Sequence, residues 1–374
     1  MFETLKIPHE LLPLDGRFGC GPSLVRPEFV EALARESKNY LGTSHRQPNV
    51  KNKVGGVIEK LRTFMKIPAD YKIAMGNGSA SLVWDACTFS LIEKKAAHFV
   101  NGEFSQKWSA STKESKFVDA HVVKVGNGEQ PKFEEFADCD VHCITWNETS
   151  TGAMWDHCPT VKNSLLAVDA TSAAGAYDWD LSKTDVFYFS PQKAFGSEGG
   201  LWIGIFSPKA VAQIERVKKS GRYIPAMLDL SLALKNGEAN QTYNTPALAT
   251  VYIIDKQLDW FLEKGGMAGM TAMADEKQKL LHTWVDRRPE LSHYIKDPKA
   301  RSKTVCTINL DPAIPFDQLT KQLRKQGVLD IDAYRNLGEN QIRISLFPNI
   351  SKEDLGKLTQ CIDYLLDNRQ AKGA

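Results

Sequence analysis

The chain has 374 residues, and its 47 basic and 45 acidic side chains leave a formal charge of only +2. That length suits two domains, or one large domain with a smaller appendage, and can bury a sizeable core. The balanced charge gives no global field to attract nucleic acid or an anionic membrane. Apolar runs are strand-sized, and the first six residues lack the apolar core of a signal peptide. Seven scattered cysteines, an odd number, fit reduced thiols better than a disulfide framework. The expectation is a soluble cytoplasmic protein.

Residues 1–15 carry scattered apolar side chains and two prolines, which suits an arm laid across another surface. Gly19-Cys-Gly-Pro22-Ser23 is turn chemistry, and residues 27–40 read as an amphipathic helix with Phe29, Val30 and Leu33 on its apolar side. A loop holding His45 and Arg46 precedes a helix around residues 54–65. Residues 71–75 read as a strand, 76–80 as a tight turn and 81–91 as a helix. From there to residue 206 strands alternate with helices, which predicts a mainly parallel sheet with helices on both faces. Its strands fall at 97–100, 121–125, 141–146, 164–169, 186–189 and 201–206, and Phe104 opens the helix after the first of these. Cys139, Cys143, His157 and Cys158 invite a zinc reading. Cys143, however, lies in an apolar strand and no second spaced cysteine pair follows, so no metal site is expected.

A helix over 208–218 leads to Asn244-Thr245-Pro246, which reads as N-cap chemistry for a long helix striped by Leu248, Val251, Ile254, Leu258 and Leu262. Gly265-Gly266 stops that helix and is the expected hinge. The division is then an arm (1–15), a large domain (16–265) and a small α+β domain (266–374). The last of these begins with a connecting helix over 267–288. It then carries strands at 304–310 and 341–346, helices at 316–326 and 351–368, and a capping box at Ser351-x-x-Asp354.

Three strand ends carry the chemistry. The run at 186–189 stops at Ser190-Pro191, and Lys193 hangs just past it among glycines. A lysine of depressed pKa in a dry pocket attacks aldehydes, whereas a loop lysine in water does nothing of the kind. The strand before Ala170 ends on Asp169, and in an open parallel sheet both residues could share the rim where ligands sit. A carboxylate opposite a pyridinium nitrogen and a lysine on the aldehyde carbon are two anchors of a pyridoxal phosphate site. The third anchor is the helix start at Ala80 and Ser81, whose backbone N–H groups suit a phosphate. Taken alone, Asp169 could equally cap a turn, and the glycine turn before Ser81 is a poor match to a dinucleotide fingerprint.

Ser-Pro-Gln-Lys193, Val-Asp169-Ala-Thr-Ser, Gly78-Ser-Ala-Ser-Leu82, Asn147-Glu-Thr149, Asn244-Thr-Pro246 and Ser44-His-Arg46 stand in the order and approximate spacing of the phosphoserine aminotransferases. From about residue 18 to about 350 the chain resembles the divergent branch of that family, class V aminotransferases of the pyridoxal phosphate fold type I. The resemblance implies that Lys193 carries the cofactor, with Gln192 beside it. Asp169 would hold the ring nitrogen, Phe104 would lie over the ring where most relatives have Trp, and Thr149 would stand near O3′ or the phosphate. Asn244 and Thr245 would reach the phosphate of a neighbouring subunit, making an obligate homodimer with two shared sites.

It further implies that Arg343 clamps the substrate α-carboxylate. His45, Arg46 and Arg335 would receive a distal anion, with Arg335 acting in the other subunit. Tyr334 replaces the His of many relatives. The implied reaction moves the amino group of L-glutamate to 3-phosphohydroxypyruvate, with Lys193 as the base that shifts the α-proton. Four alternatives are weaker. Aminotransferases of alanine, serine or glyoxylate handle no distal anion. A cysteine desulfurase needs a reactive Cys absent from residues 311–360. A nicotinamide dehydrogenase would rest on the glycine turn alone, and a non-catalytic binding module would leave Asp169 and Lys193 without purpose.

Overall fold

The computed structural model describes residues 1–369. In chain order its strands are β1 (Lys72–Gly78), β2 (Lys95–Val100), β3 (Asp119–Lys124), β4 (Val141–Thr145), β5 (Asn147–Glu148), β6 (Ala153–Met154), β7 (Leu165–Asp169), β8 (Val186–Phe189), β9 (Gly200–Phe206), β10 (Leu291–His293), β11 (Val305–Leu310) and β12 (Gln341–Ser345). The helices are α1 (Pro27–Tyr40), α2 (Pro48–Met65), α3 (Ala80–Ser90), α4 (Glu103–Glu114), α5 (Pro208–Lys219), α6 (Leu230–Glu238), α7 (Leu248–Glu263), α8 (Gly266–Arg287), α9 (Phe316–Arg324) and α10 (Lys352–Asp367).

Seven strands form one sheet in the order β1-β9-β8-β7-β4-β2-β3. Only β9 runs against the rest, pairing antiparallel with both β1 and β8. The cause is local. A parallel neighbour needs a crossover, whereas an antiparallel one can follow after a short loop, and residues 190–199 are that loop. It carries Lys193.

The buried strands alternate their side chains between two cores, as the pleat requires. Leu166, Val168, Phe187 and Phe189 pack with residues of α2 and α7, among them Val54, Leu61, Val251 and Leu258. Leu165, Ala167, Val186 and Tyr188 face the other way, against Val83 and Cys87 of α3, Trp108 of α4 and Ile214 of α5. The fold is therefore the expected α/β sandwich, with helices on both faces of the sheet.

A second sheet, β10-β11-β12, is antiparallel throughout. It packs with α9, α10 and the end of α8 around Ile308, Leu323, Ile344 and Leu358. Phe2 and Ile7 join this core. Residues 16–18 also run beside it, with Leu329 N donating to Gly16 O and Ser345 N to Phe18 O. Met267 and Met270 of α8 belong to the large core, whereas Leu281 and Trp284 belong to the small one. One helix thus serves both.

Five local expectations need correction. Val30 is exposed, and Phe29 and Leu33 carry the buried side of α1. The strand before α3 continues through Gly78, paired with β9, so the turn into the helix is a single residue, Ser79. α2 begins at Pro48, where a proline costs no hydrogen bond. Asn244 and Thr245 do not cap α7, whose N-cap position is Ala247 with no side-chain bond. At the far end of α7, Phe261 is buried and Leu262 only half-buried.

Candidate active site

Five strands that run in one direction (β1, β2, β4, β7 and β8) deliver their following residues to one rim of the sheet, the place where an open α/β sheet leaves room for a ligand. There a cleft is lined by Ala80, Ser81, Trp84, Phe104, Thr149, Asp169, Ser172, Gln192 and Lys193.

Lys193 donates from Nζ to Thr149 Oγ1 at 3.0 Å, and the same nitrogen lies 4.2 Å from the centre of the Phe104 ring. Burial pulls its pKa down to about 8, and Arg343 pulls the same way, against Asp169 and Glu148. The amine is therefore neutral and nucleophilic far more often near pH 8 than an ordinary lysine would be. Its stem rests on Gly21, where a Cβ would stand 2.9 Å from both Cγ and Cε. Ser23 N donates to Gln192 O at 2.7 Å and pins the two segments together.

Asp169 is buried at the end of β7. One oxygen accepts from Thr171 N (3.0 Å) and Thr171 Oγ1 (2.6 Å), and the other from the indole N–H of Trp84 at 3.0 Å. Bonds of this kind fix the direction of a carboxylate.

Thr149 is the junction of the site. Its hydroxyl donates to Ser172 Oγ at 2.9 Å, and Ser172 is bonded in turn to Asn147. Its carbonyl accepts from Arg343 Nη1 at 2.7 Å, so the small sheet reaches the cleft through an arginine on β12. Arg343 also lies 5.0 Å from the ring of Tyr334, which meets Phe104 edge-on at 5.9 Å. In the direction of Ala80 and Ser81, the Ser79 side chain leaves the start of α3 uncapped and bonds Ser81 Oγ at 2.7 Å. Free amides at a helix start are an anion cradle.

The remaining predicted residues stand apart from this cleft. Thr245 Oγ1 is 3.0 Å from His45 Nδ1, and Asn244 Nδ2 contacts Met227 Sδ at 3.0 Å. His45 is buried with Nε2 unpartnered, and burial, aided by Arg46, lowers its pKa. Arg46 and Arg335 are exposed.

Sequence reading overlooked Trp84, Ser172, Gly21 and Asn349. Trp84 carried a signal, since it follows Ala80 and Ser81 by four and three residues and so shares their helix face. Asn349 carried none. It donates to Gly196 O at 3.1 Å and Leu24 O at 2.8 Å, holding the Lys193 loop from a segment far away in the chain.

The family described as Aminotransferase class-V matches residues 18–358. The chain is 45% identical to the phosphoserine aminotransferase of Corynebacterium glutamicum strain R over 99% of both chains. It is 42% identical to that of Rhodococcus jostii strain RHA1 over 98% of this chain and 99% of the relative. Among solved structures, a phosphoserine aminotransferase from Cytophaga hutchinsonii superposes with a TM-score of 0.85 at 25% identity, covering 92% of this chain and 97% of that one.

Proposed function

Because the chain belongs to the class-V aminotransferases, we propose that it is a pyridoxal phosphate enzyme that moves the amino group of L-glutamate to 3-phosphohydroxypyruvate, giving 2-oxoglutarate and O-phospho-L-serine. The observation that carries this reading is the presence of Lys193 and Asp169 on one cleft, with the Thr149 hydroxyl bonded to the lysine amine.

The donors present fit the cofactor. The uncapped amides at Ala80 and Ser81 would take its phosphate, Asp169 backed by Trp84 its ring nitrogen, the Phe104 face its ring and Lys193 its aldehyde, with Thr149 and Gln192 beside it. When bound, pyridoxal phosphate supplies an electron-withdrawing ring that absorbs the electron pair left when an α-proton is removed. Arg343 orients the substrate through its α-carboxylate. Lys193 Nζ would take the proton from the substrate Cα and hold it for return. The same groups run both halves of the reaction, because glutamate and the phosphorylated oxoacid each carry a distal anion that one cationic pocket serves.

His45, Arg46 and Arg335 would form that pocket, and Asn244 with Thr245 would reach the phosphate, across a homodimer interface. Two features support this: the five lie outside the cleft of their own chain, and Met227 and Tyr243, the first in contact with Asn244 and the second next to it in sequence, are exposed. Seven free cysteines support a reducing, cytoplasmic setting.

A half-reaction screen tests the substrate. Glutamate and phosphoserine, each added alone to the purified holoenzyme, should discharge its visible absorbance, while alanine and serine should not. Equal discharge by all four would remove the distal-anion pocket. Absence of the absorbance, or its survival unchanged in Lys193→Ala, would remove the cofactor reading altogether.

A further inference from the structure

Three consecutive residues after β4 divide their work. Asn147 and Thr149 turn toward Ser172 and the Lys193 amine, whereas Glu148 points the other way, into the start of α4. Glu148 is fully buried, and all five hydrogen bonds its carboxylate accepts come from neutral groups: Phe104 N (3.2 Å), Ser105 N (2.9 Å), Ser105 Oγ (2.9 Å), Ser150 N (3.3 Å) and Ser150 Oγ (2.7 Å).

The residue before α4 is Gly102, which has no side chain with which to cap the helix. Its first four amides are nevertheless all satisfied. Glu103 N donates to Ser150 Oγ at 3.0 Å, Phe104 N and Ser105 N to Glu148, and Gln106 N to Gly102 O at 3.1 Å. A carboxylate from another strand has taken the place of the cap, where the helix dipole favours negative charge. Glycine is required for this, since a Cβ on Gly102 would stand 2.3 Å from Glu148 Cγ.

We propose that Glu148 is a positioning residue: it fixes where the Phe104 ring sits over the Lys193 amine. The inference rests on the transaminase reading above. The geometry carries it, because the Glu148 bond goes to the backbone of the very residue whose ring lies 4.2 Å from Nζ.

Glu148→Gln keeps the shape, removes the charge and turns one acceptor oxygen into a donor facing other donors. In the holoenzyme the visible band should shift in position or shape, because the ring that lies over the amine is displaced. Turnover should fall roughly tenfold or more through misplacement of the ring. A purely structural role would leave the band as it is in the wild type, and an unchanged band in the folded variant overturns the proposal. The coupling is read from a double-mutant cycle with Phe104→Leu, in which the double variant should turn over no more slowly than the worse single one. Additive losses overturn it. If Glu148→Gln does not fold, Ser105→Ala, which removes one hydroxyl donor and leaves the charge, takes its place in the same cycle with the same two outcomes. A wild-type protein without the visible band would sink the transaminase reading itself, a result distinct from any of these.

Discussion

Trp84 donates its indole N–H to Asp169 at 3.0 Å, and both groups are buried. A tryptophan on α3 therefore holds the acid that would face the pyridine nitrogen, so one helix would serve both ends of the proposed cofactor: amides for the phosphate at its start and an orienting donor one turn later.

Trp84→Phe removes that donor and little volume. Hydrogen bonds to charged groups are worth about 1.5–3 kcal/mol, and part of that loss should appear as weaker cofactor retention, on the order of tenfold. Titrating the apoprotein with pyridoxal phosphate measures it. An unchanged dissociation constant would mean that Thr171 alone orients Asp169.

Gly21→Ala makes two demands at once. The backbone there has φ +131°, a region costly to any residue with a Cβ, and the new Cβ would meet the Lys193 stem at 2.9 Å. Gly42 offers the comparison, with φ +72° and nothing within 4 Å of its would-be Cβ. Both alanine variants should lose about 1 kcal/mol or more of stability. Only Gly21→Ala should also weaken the visible absorbance and slow turnover, by roughly tenfold or more. Equal spectra in the two variants would show that the lysine stem simply moves aside.

These two residues mark the limit of what the chain discloses before it folds. Strand-end Lys193 and Asp169, and the helix start at Ala80, are legible because each sits at a break between an apolar run and a turn, and breaks are local. The single reversed strand is not, since a run such as Leu201–Phe206 looks the same in either direction. Contacts such as Gly21 with Lys193, or Asn349 with Gly196, join segments more than 150 residues apart and leave no periodic trace. The Asn244-Thr245 cap failed for a related reason: the local chemistry fits a cap, but tertiary partners, His45 for Thr245 and Met227 for Asn244, claim both side chains.

The Ser351 cap shows a local rule partly redirected. Ser351 Oγ accepts from Asp354 N at 2.9 Å, as expected, and donates to Asp354 Oδ2 at 2.8 Å. The other Asp354 oxygen accepts from Leu14 N at 2.7 Å and so ties the N-terminal arm to α10. Asp354→Ala should cost about 1–2 kcal/mol in thermal or denaturant unfolding. It should also open residues 1–15 to limited proteolysis while the visible absorbance stays. Wild-type resistance of the arm to protease in this variant would mean that Phe2 and Ile7 hold it unaided.

Lys277 is buried on α8, and its amine donates to Phe347 O at 2.8 Å and Ile350 O at 3.1 Å. Between those carbonyls lies Asn349, the residue that holds the Lys193 loop. Burial, with Arg26 adding to it, pulls the Lys277 pKa down to about 7 from an ordinary value of 10.5. Between these two values the unfolded chain binds a proton that the folded chain does not, so this group makes stability rise as pH rises through the window. Lys277→Met deletes that contribution and takes the lysine donor from both carbonyls, leaving Phe347 O with Ile350 N alone, at about 1–3 kcal/mol for a buried acceptor left unsatisfied. The variant should therefore be less stable than wild type, and its deficit should widen between pH 7 and pH 10 in denaturant unfolding of the holoenzyme. A deficit that stayed constant across that range would show that the amine remains charged in its buried site.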